Sequence, residues 1–301
     1  MQNIFIGADG GGTKTKIQVE DQKGNILGVG RSGPGNIRTS VKNSWNSIMT
    51  GLHEALDQAG LKLDDPGYAF HAGFGLAGYE VPEAIREFLN CPHPFKTIVL
   101  ESDAIIACLG AHAGEDGSII IVGTGVHGCA VYQEDIIHVG GWGFPHGDEG
   151  GGAWLGMEVV RLTLRSVDGR AHVTPVCEAV LNKFGGVTEL VTWAVQATPG
   201  DFGTLAPLVI EYAGKNDAHA VLLLESAAAE IDLVAQALEN AVDDARLNLS
   251  LFGGIAPHIK NRLSPGVQKR LVDRQFDATR GAIFLIRQKV LGDDWKKGIG
   301  L

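Results

Sequence analysis

A strand that runs into an acidic, glycine-rich turn and continues as a second strand is the feature of this 301-residue chain that most limits its fold. Residues 4–8 are apolar and β-rich, and they lead into Asp9-Gly10-Gly11-Gly12-Thr13-Lys14-Thr15. Residues 14–20 then alternate polar and apolar side chains, and a second turn leads into residues 26–31. The pattern predicts an antiparallel meander at the start of the chain, which disfavours a Rossmann fold.

The same strand, glycine turn and strand begin again in the middle of the chain. Residues 118–122 form a buried strand pattern that ends at Gly123-Thr124-Gly125. We therefore predict a structural duplication in an α/β chain, with an N-terminal domain at residues 1–113 and a C-terminal domain at residues 114–279. The closing helix, at about residues 280–292, is expected to pack back on the first domain.

The remaining periodic segments fill these two domains with helices and strands. The expected helices cover residues 40–59, 81–89 and 103–113, then a glycine- and proline-broken tract at 153–245, and a last helix at 277–290. The expected strands that follow the meander cover residues 68–75, 97–100 and 247–252.

Charge and cysteine usage limit the partners of the chain. The chain has 35 acidic and 25 basic side chains, a net charge of −10, which argues against a nucleic-acid or anionic-membrane partner. Its apolar runs are too short for a membrane span, and the N-terminus enters a strand without a signal-peptide pattern, so we expect a cytoplasmic protein. The four cysteines have no metal-ligand spacing, which argues against an iron–sulfur cluster.

The two glycine turns are predicted to hold phosphate. Consecutive glycines let backbone N–H groups converge on phosphate oxygens, and Asp9 at the end of a buried strand suits a Mg²⁺ ligand. A Walker A loop is excluded because a strand pattern, and not a helix, follows the first turn. Gly123-Thr124-Gly125 is expected to form a second phosphate clamp.

Three further positions carry chemistry. Asp103 starts a helix after a strand, where it is either the helix N-cap or a base that accepts a proton from a substrate hydroxyl. Asp148 and Glu149 lie in a loop at residues 140–152 with seven glycines, which suits recognition of sugar hydroxyls at close range. Gly253-Gly254 ends the last strand and offers bare backbone to the face of a purine.

In chain order, the Asp9 turn, Asp103, the Gly123 turn and Gly253-Gly254 resemble the phosphate-1, catalytic, phosphate-2 and adenosine elements of the actin, heat-shock chaperone and sugar-kinase superfamily. Further loops resemble the BadF/BadG/BcrA/BcrD-type ATPase family, in its N-acetylglucosamine and glucosamine kinase branch: Gly33-Pro34-Gly35-Asn36, Gly75-Leu76-Ala77-Gly78, Gly141-Trp142-Gly143 and Gly147-Asp148-Glu149-Gly150. The resemblance implies two ribonuclease H-like (actin-like ATPase) domains, each with a mixed five-stranded sheet, and a cleft between them.

The resemblance also implies the roles of individual residues, with Asp103 as the catalytic base and Asp9 as the Mg²⁺ ligand. The implied ATP-binding residues are Gly11, Gly12, Thr13, Lys14, Thr124, Gly125, Gly253 and Gly254. The implied sugar-binding residues are Asn36, Gly78, Trp142, Asp148 and Glu149. ATP, Mg²⁺ and an amino sugar are the implied ligands, and a homodimer is compatible with the resemblance.

The implied activity is ATP-dependent phosphorylation of N-acetylglucosamine to its 6-phosphate. Glucosamine is the alternative acceptor, since Asp148, Glu149 and the net negative charge suit a cationic sugar. A dehydratase-activase ATPase and a non-catalytic sugar sensor are weaker alternatives. Val126 departs from the family pattern because it stands where the second phosphate loop commonly has a serine.

Overall fold

The computed structural model describes residues 1–133, 135–242, 244 and 246–299, so Ala245, the expected end of the long helical tract, lies outside the described residues. The chain divides into two compact units. The first unit contains Met1–Gly117, Val131–Ile136 and the chain from Asp273 on, and the second contains Ser118–Ala130 and Ile137–Val272.

The strands and helices alternate along the chain in an α/β pattern. The strands are β1 (Gln2–Gly10), β2 (Thr15–Glu20), β3 (Ile26–Ser32), β4 (Tyr68–Leu76), β5 (Thr97–Glu101), β6 (Gly117–Val122), β7 (Val126–Tyr132), β8 (Asp135–Gly140) and β9 (Leu249–Phe252). The helices are α1 (Val41–Ala59), α2 (Pro82–Asn90), α3 (Asp103–Ala111), α4 (Gly152–Val167), α5 (Pro175–Phe184), α6 (Val187–Gln196), α7 (Pro199–Gly203), α8 (Ala206–Gly214), α9 (Ala218–Val242), α10 (Ala256–Ile259), α11 (Pro265–Arg270) and α12 (Ala278–Leu291). Short 3₁₀ turns cover Lys260–Arg262 and Gly292–Asp294.

The sheet of the first unit has the order β3-β2-β1-β4-β5. β1 pairs with β2 antiparallel and with β4 parallel, so the predicted meander supplies three of the five strands of a mixed sheet. This is the ribonuclease H-like arrangement expected from the resemblance. Parallel strands end at the same sheet edge, which places the end of β1 beside the ends of β4 and β5.

Helix α1 covers one face of this sheet because its apolar residues recur at helical spacing. Trp45, Ile48 and Leu52 are buried in the core of the first unit. The Ser40 side chain caps the helix by accepting from the backbone N–H of Asn43 at 3.2 Å, and Gly60 ends it in the left-handed conformation (φ 66°).

Helix α12 packs on β1 and α3 at distances that only glycine permits. A Cβ built on Gly281 would lie 1.8 Å from the carbonyl oxygen of Ile106, and a Cβ built on Gly7 would lie 2.1 Å from that of Thr279. The backbone of α12 therefore contacts both the strand that carries Asp9 and the helix that begins with Asp103.

Among the described residues, the second sheet has four strands, in the order β8-β7-β6-β9, and not the five strands expected. Leu271 forms a single parallel bridge with Leu249 at the edge where a fifth strand would lie. The bridge does not extend because the chain then leaves this edge: the backbone N–H groups of Gln275 and Phe276 donate to the carbonyls of Ala111 and Gly110.

The helical tract after the 140–152 loop is broken where glycine and proline predict. Pro175 and Pro199 are the first residues of α5 and α7, where a missing N–H costs nothing, and Gly185 ends α5 with φ 88°. Across the described ranges, none of the helices combines the length and the apolar character that a bilayer span requires.

Candidate active site

The first phosphate-binding element is an open turn between β1 and β2. The backbone N–H of Gly11 donates to the carbonyl of Lys14 at 2.9 Å and closes the turn. Gly12, Thr13 and Lys14 are exposed, and a Cβ built on Gly12 would have no neighbour within 4 Å. Bare backbone and a lysine side chain at one exposed tip are what an anionic phosphate needs.

Asp9 lies near the end of β1, directly opposite Lys16 of β2. Burial and the negative charges of Asp103 and Asp277 together raise the pKa of the Asp9 carboxyl to about 6, against the lowering effect of Lys16 and Lys14. Three carboxylates and two lysines therefore influence one another at this end of the first unit. Asp9, Lys14 and Asp103 are expected here from their motifs, whereas Lys16 and Asp277 were not predicted from the sequence.

This group of carboxylates fits a magnesium ion. Carboxylate oxygens are the hard ligands that Mg²⁺ prefers, and the raised pKa of Asp9 reflects burial and then the nearby negative charges of Asp103 and Asp277, which a divalent cation would compensate. Among the described residues, no three His, Cys, Asp or Glu side chains are close enough to enclose a metal ion. The donor set therefore suits Mg²⁺ that keeps water and phosphate ligands rather than a metal caged by protein.

Asp103 is the first residue of α3, and the cap of that helix is its neighbour. The Ser102 side chain accepts from the backbone N–H of Ile105 at 3.2 Å. Asp103 is half-buried and accepts from the backbone N–H of Ala104 at 2.8 Å. Ser102 therefore supplies the N-cap, and Asp103 is not the cap but a first-turn carboxylate that also accepts one backbone N–H of α3.

Two loops that carry predicted sugar-binding residues are hydrogen-bonded to the first phosphate turn. The backbone N–H of Gly35 donates to the carbonyl of Gly11, and that of Ala77 donates to the carbonyl of Gly10, both at 2.8 Å. Gly78 has φ 88°, and a Cβ built on it would lie 2.7 Å from Oδ1 of Asn36. The fold therefore brings Asn36 and Gly78 together next to the Asp9 turn.

In the second unit, the Gly123-Thr124-Gly125 turn supports the start of α4. The carbonyls of Gly123 and Thr124 accept from the backbone N–H groups of Gly152 and Ala153, at 2.8 and 2.9 Å. The turn itself is closed by the N–H of Gly123, which donates to the carbonyl of Gly125 at 2.9 Å. The first turn of α4 thus fixes the position of Thr124.

A largely apolar cavity of about 480 Å³ lies beside this turn, entirely within the second unit. Gly254 lines the cavity, and a Cβ built on it would have no neighbour within 4 Å. Gly253 is not among the lining residues. It has φ 94°, and a Cβ built on it would lie 2.2 Å from the carbonyl oxygen of Val122. The lining residues are Gly123, Thr124, Gly152, Gly203, Ala206, Pro207, Ile210, Glu211, Gly254, Ile255 and His258. The size and apolar walls suit a nucleoside.

Sequence reasoning missed the wall of this cavity that α7 and α8 supply. Gly203, Ala206 and Ile210 belong to a helical tract in which glycine and proline predict only where helices end. No local motif marks these residues as cavity-lining, since their placement depends on how the helices pack.

Asp148 is placed against the second glycine turn. Its backbone has φ 66°, and its Oδ1 accepts from the N–H of Gly143 at 3.3 Å. A Cβ built on Gly125 would lie 2.1 Å from Oδ2 of Asp148, so this carboxylate, and not open space, faces Gly125. Trp142, from the same loop, is 84% exposed.

Asp148 and Glu149 also line a smaller cavity of about 200 Å³. A third carboxylate, that of Glu230 on α9, lines the same cavity. The apolar residues around it are Val126, Val139, Leu233 and Val234. Val126, the departure from the family pattern, thus supplies apolar surface next to carboxylates.

Comparison with known proteins gives consistent matches along nearly the whole chain. A model of the BadF/BadG/BcrA/BcrD ATPase family matches residues 6–285. Glucosamine kinase GspK of Vibrio cholerae is 37% identical over 282 residues, which are 93% of this chain and 95% of that protein. An N-acetylmuramic acid/N-acetylglucosamine kinase of Clostridium acetobutylicum is 25% identical over 94% of this chain and 98% of that protein. A solved structure from Chromobacterium violaceum, described provisionally as an N-acetylglucosamine kinase, has a TM-score of 0.79 at 35% identity and covers 94% of this chain and 98% of that chain.

Proposed function

Because the chain belongs to the BadF/BadG/BcrA/BcrD ATPase family, we propose that it transfers the γ-phosphoryl group of ATP to the C6 hydroxyl of an amino sugar. The family predicted from the motifs is confirmed. The observation that carries the proposal is the proximity of Asp103, a half-buried carboxylate that is not the N-cap of its helix, to Asp9, whose pKa it raises. A base and a cation ligand at one site are what hydroxyl-directed phosphoryl transfer requires.

The proposed reaction is an in-line displacement at the γ-phosphorus. The sugar C6 oxygen forms a bond to phosphorus, the bond to the β,γ-bridging oxygen breaks, and Asp103 accepts the proton of the attacking hydroxyl. Mg²⁺ held through Asp9 would neutralise negative charge on the phosphates. Lys14 and the exposed glycine turn would hold the phosphates, and the cavity at Gly254 would hold the nucleoside.

Glucosamine is the acceptor that we propose first. The relative at 37% identity is a glucosamine kinase, and the cavity at Val126 is lined by the carboxylates of Asp148, Glu149 and Glu230. Carboxylates near the C2 substituent would attract the ammonium group of a free amino sugar. They would have no such electrostatic attraction to a neutral acetamide group.

N-acetylglucosamine is the second candidate. The relatives from Clostridium acetobutylicum and Chromobacterium violaceum are described as acting on N-acetylated sugars. The apolar side chains of Val126, Val139, Leu233 and Val234 in the same cavity suit an acetyl methyl group.

A coupled ADP-release assay with MgATP tests the function and separates the acceptors. The wells contain glucosamine, N-acetylglucosamine, glucose, N-acetylmannosamine or no sugar. We expect sugar-dependent ADP release with the highest kcat/KM for glucosamine. Higher kcat/KM for N-acetylglucosamine would reverse the order of the two acceptors, and equal release in every well would contradict the kinase assignment.

A further inference from the structure

The ion pair between Lys16 and Asp277 joins two residues that the proposed reaction has not yet used. Lys16 lies directly opposite Asp9 in the antiparallel ladder of β1 and β2. Side chains at opposite positions of such a ladder share a face of the sheet, with Cβ atoms about 4.5–5.5 Å apart. The sheet register therefore places the Lys16 side chain next to the Asp9 carboxylate, on the same face of the sheet.

The Lys16 side chain is hydrogen-bonded to Asp277. Its Oδ2 accepts a hydrogen bond from Nζ of Lys16, and its Oδ1 accepts from the backbone N–H of Arg280 at 3.1 Å as the N-cap of α12. Both oxygens thus have fixed partners. The backbone is fixed as well, since a Cβ built on Gly110 would lie 2.2 Å from the carbonyl oxygen of Asp277.

The pKa of the Asp277 carboxyl agrees with its ion pair with Lys16. Burial raises the pKa of the Asp277 carboxyl, but hydrogen bonds from Lys16 and Arg280 outweigh burial and hold the pKa below its usual value. Asp277 is therefore ionised and paired. The pKa of Asp9 is raised to about 6 by burial and by the carboxylates of Asp103 and Asp277, although Lys16 stands opposite. Nζ of Lys16 is hydrogen-bonded to Asp277, although the Lys16 side chain shares a face of the sheet with Asp9.

We propose that Asp277 is a positioning residue that holds Lys16 away from Asp9, so that the Asp9 carboxylate is kept for a divalent cation and not for the lysine. The inference rests on the proposed function, because it assigns the cation that accompanies ATP to Asp9. If Asp277 loses its charge, Lys16 is free to pair with Asp9 and to compete with the cation.

Three variants test the competition: Asp277→Asn, Lys16→Gln and the double variant. Asparagine caps helices as well as aspartate does, so Asp277→Asn keeps the cap of α12 while it removes the charge that holds Lys16. Asp168→Asn is the matched control, since it removes the same charge from an exposed pair with Arg170 in the second unit. Thermal unfolding of each variant identifies any that fails to fold.

The first readout is Mn²⁺ binding in the presence of ADP, followed by the loss of the free Mn²⁺ signal in electron paramagnetic resonance. We expect Asp277→Asn to weaken Mn²⁺ binding about tenfold, because the released Lys16 then pairs with Asp9 and competes with the cation. Lys16→Gln added to Asp277→Asn should restore binding to within about twofold of the wild-type chain, and Asp168→Asn should match the wild-type chain. The Mg²⁺ concentration for half-maximal turnover should follow the same order.

Rescue by Lys16→Gln separates competition from a structural role of Asp277. Lys16→Gln alone separates competition from a simple sum of charges: a lysine already held by Asp277 predicts Mn²⁺ binding within about twofold of the wild-type chain, and clearly tighter binding would overturn the positioning role. Unchanged Mn²⁺ binding in Asp277→Asn, or weakened binding that the second substitution does not restore, would overturn the positioning role. Because Mn²⁺ binding needs no turnover, a wild-type chain that phosphorylates no sugar would overturn the proposed function, while rescue in the same preparation would still support the role of Asp277.

Discussion

Asp103 is the residue on which the proposed chemistry depends most. Replacement by asparagine keeps the size of the side chain and removes its ability to accept a proton. We expect Asp103→Asn to lower kcat by about 10²–10⁴, the usual contribution of a general base, with the KM for the sugar nearly unchanged. Steady-state kinetics with MgATP and glucosamine measure both constants.

A matched control distinguishes this effect from a general loss of charge. Asp168→Asn, an exposed carboxylate paired with Arg170, should keep wild-type kcat. If Asp103→Asn also kept wild-type kcat, Asp103 would not be the base.

At the residue scale, sequence predicts what a short motif can encode. Asp9 and Lys14 lie in one turn whose glycines mark the phosphate loop, and Asp103 follows a strand pattern at the start of a helix. Asp277 has no such signal, because it meets Lys16 across 261 residues of chain. Only the packing of α12 in the first unit creates that contact.

The turn after β9 contains two adjacent glycines with different requirements. Gly253 has φ 94°, and a Cβ there would lie 2.2 Å from the carbonyl of Val122, whereas Gly254 has open space. We expect Gly253→Ala to lower the free energy of unfolding by about 1–3 kcal/mol through backbone strain.

Gly254→Ala should leave the free energy of unfolding within about 0.5 kcal/mol of the wild-type value and raise the KM for ATP, since its methyl group enters the proposed nucleoside cavity. Urea unfolding and ATP titration measure the two effects, and equal destabilisation by both substitutions would contradict the assigned geometry.

Helices α5 and α9 are joined through one buried carboxylate, Asp217, which is 6% exposed. Its oxygens accept from the backbone N–H groups of Val176, His219 and Ala220, each at 3.0 Å, and from the hydroxyl of Thr174 at 3.2 Å. Burial raises the pKa of Asp217, but these donors outweigh burial and hold the pKa below its usual value. The ionised form therefore stabilises the fold of the second unit.

We expect Asp217→Asn to lower the free energy of unfolding by about 1–3 kcal/mol at pH 7, because an amide nitrogen would face backbone donors. The contribution of a carboxyl with a lowered pKa is fully present above the unfolded pKa of about 4 and is lost as pH falls through the folded pKa. The difference between the two chains should thus narrow below pH 4. Chemical unfolding at several pH values measures it, and a difference that grew on acidification would refute the role of Asp217.

Over the described ranges, the second sheet lacks a strand that was expected beside β9. The family resemblance implies five strands in the second sheet, but Leu271 forms only a single bridge beside β9 in the described part of that sheet. The sequence around Leu271 does not reveal this outcome, because it depends on hydrogen bonds that Gln275 and Phe276 make with the end of α3.

Across the whole molecule, the order of strands and glycine turns predicts the meander and the duplication, and the resemblance of the motifs to a known family implies the two ribonuclease H-like sheets. Glycine patterns report backbone geometry, which local sequence encodes, so the turns at Asp9 and Gly123 were found. The walls of the nucleoside cavity and the pairing of Lys16 with Asp277 depend on contacts between distant segments, which no local pattern specifies.

Product analysis of the reaction with MgATP and glucosamine would test the kinase assignment most directly. Mass spectrometry would count the sugar phosphate and ADP formed by the wild-type chain and by Asp103→Asn. We predict one glucosamine 6-phosphate for each ADP with the wild-type chain, and both products reduced together by about 10²–10⁴ with Asp103→Asn. ADP formed without any phosphorylated sugar, across both amino-sugar acceptors, would contradict the assignment.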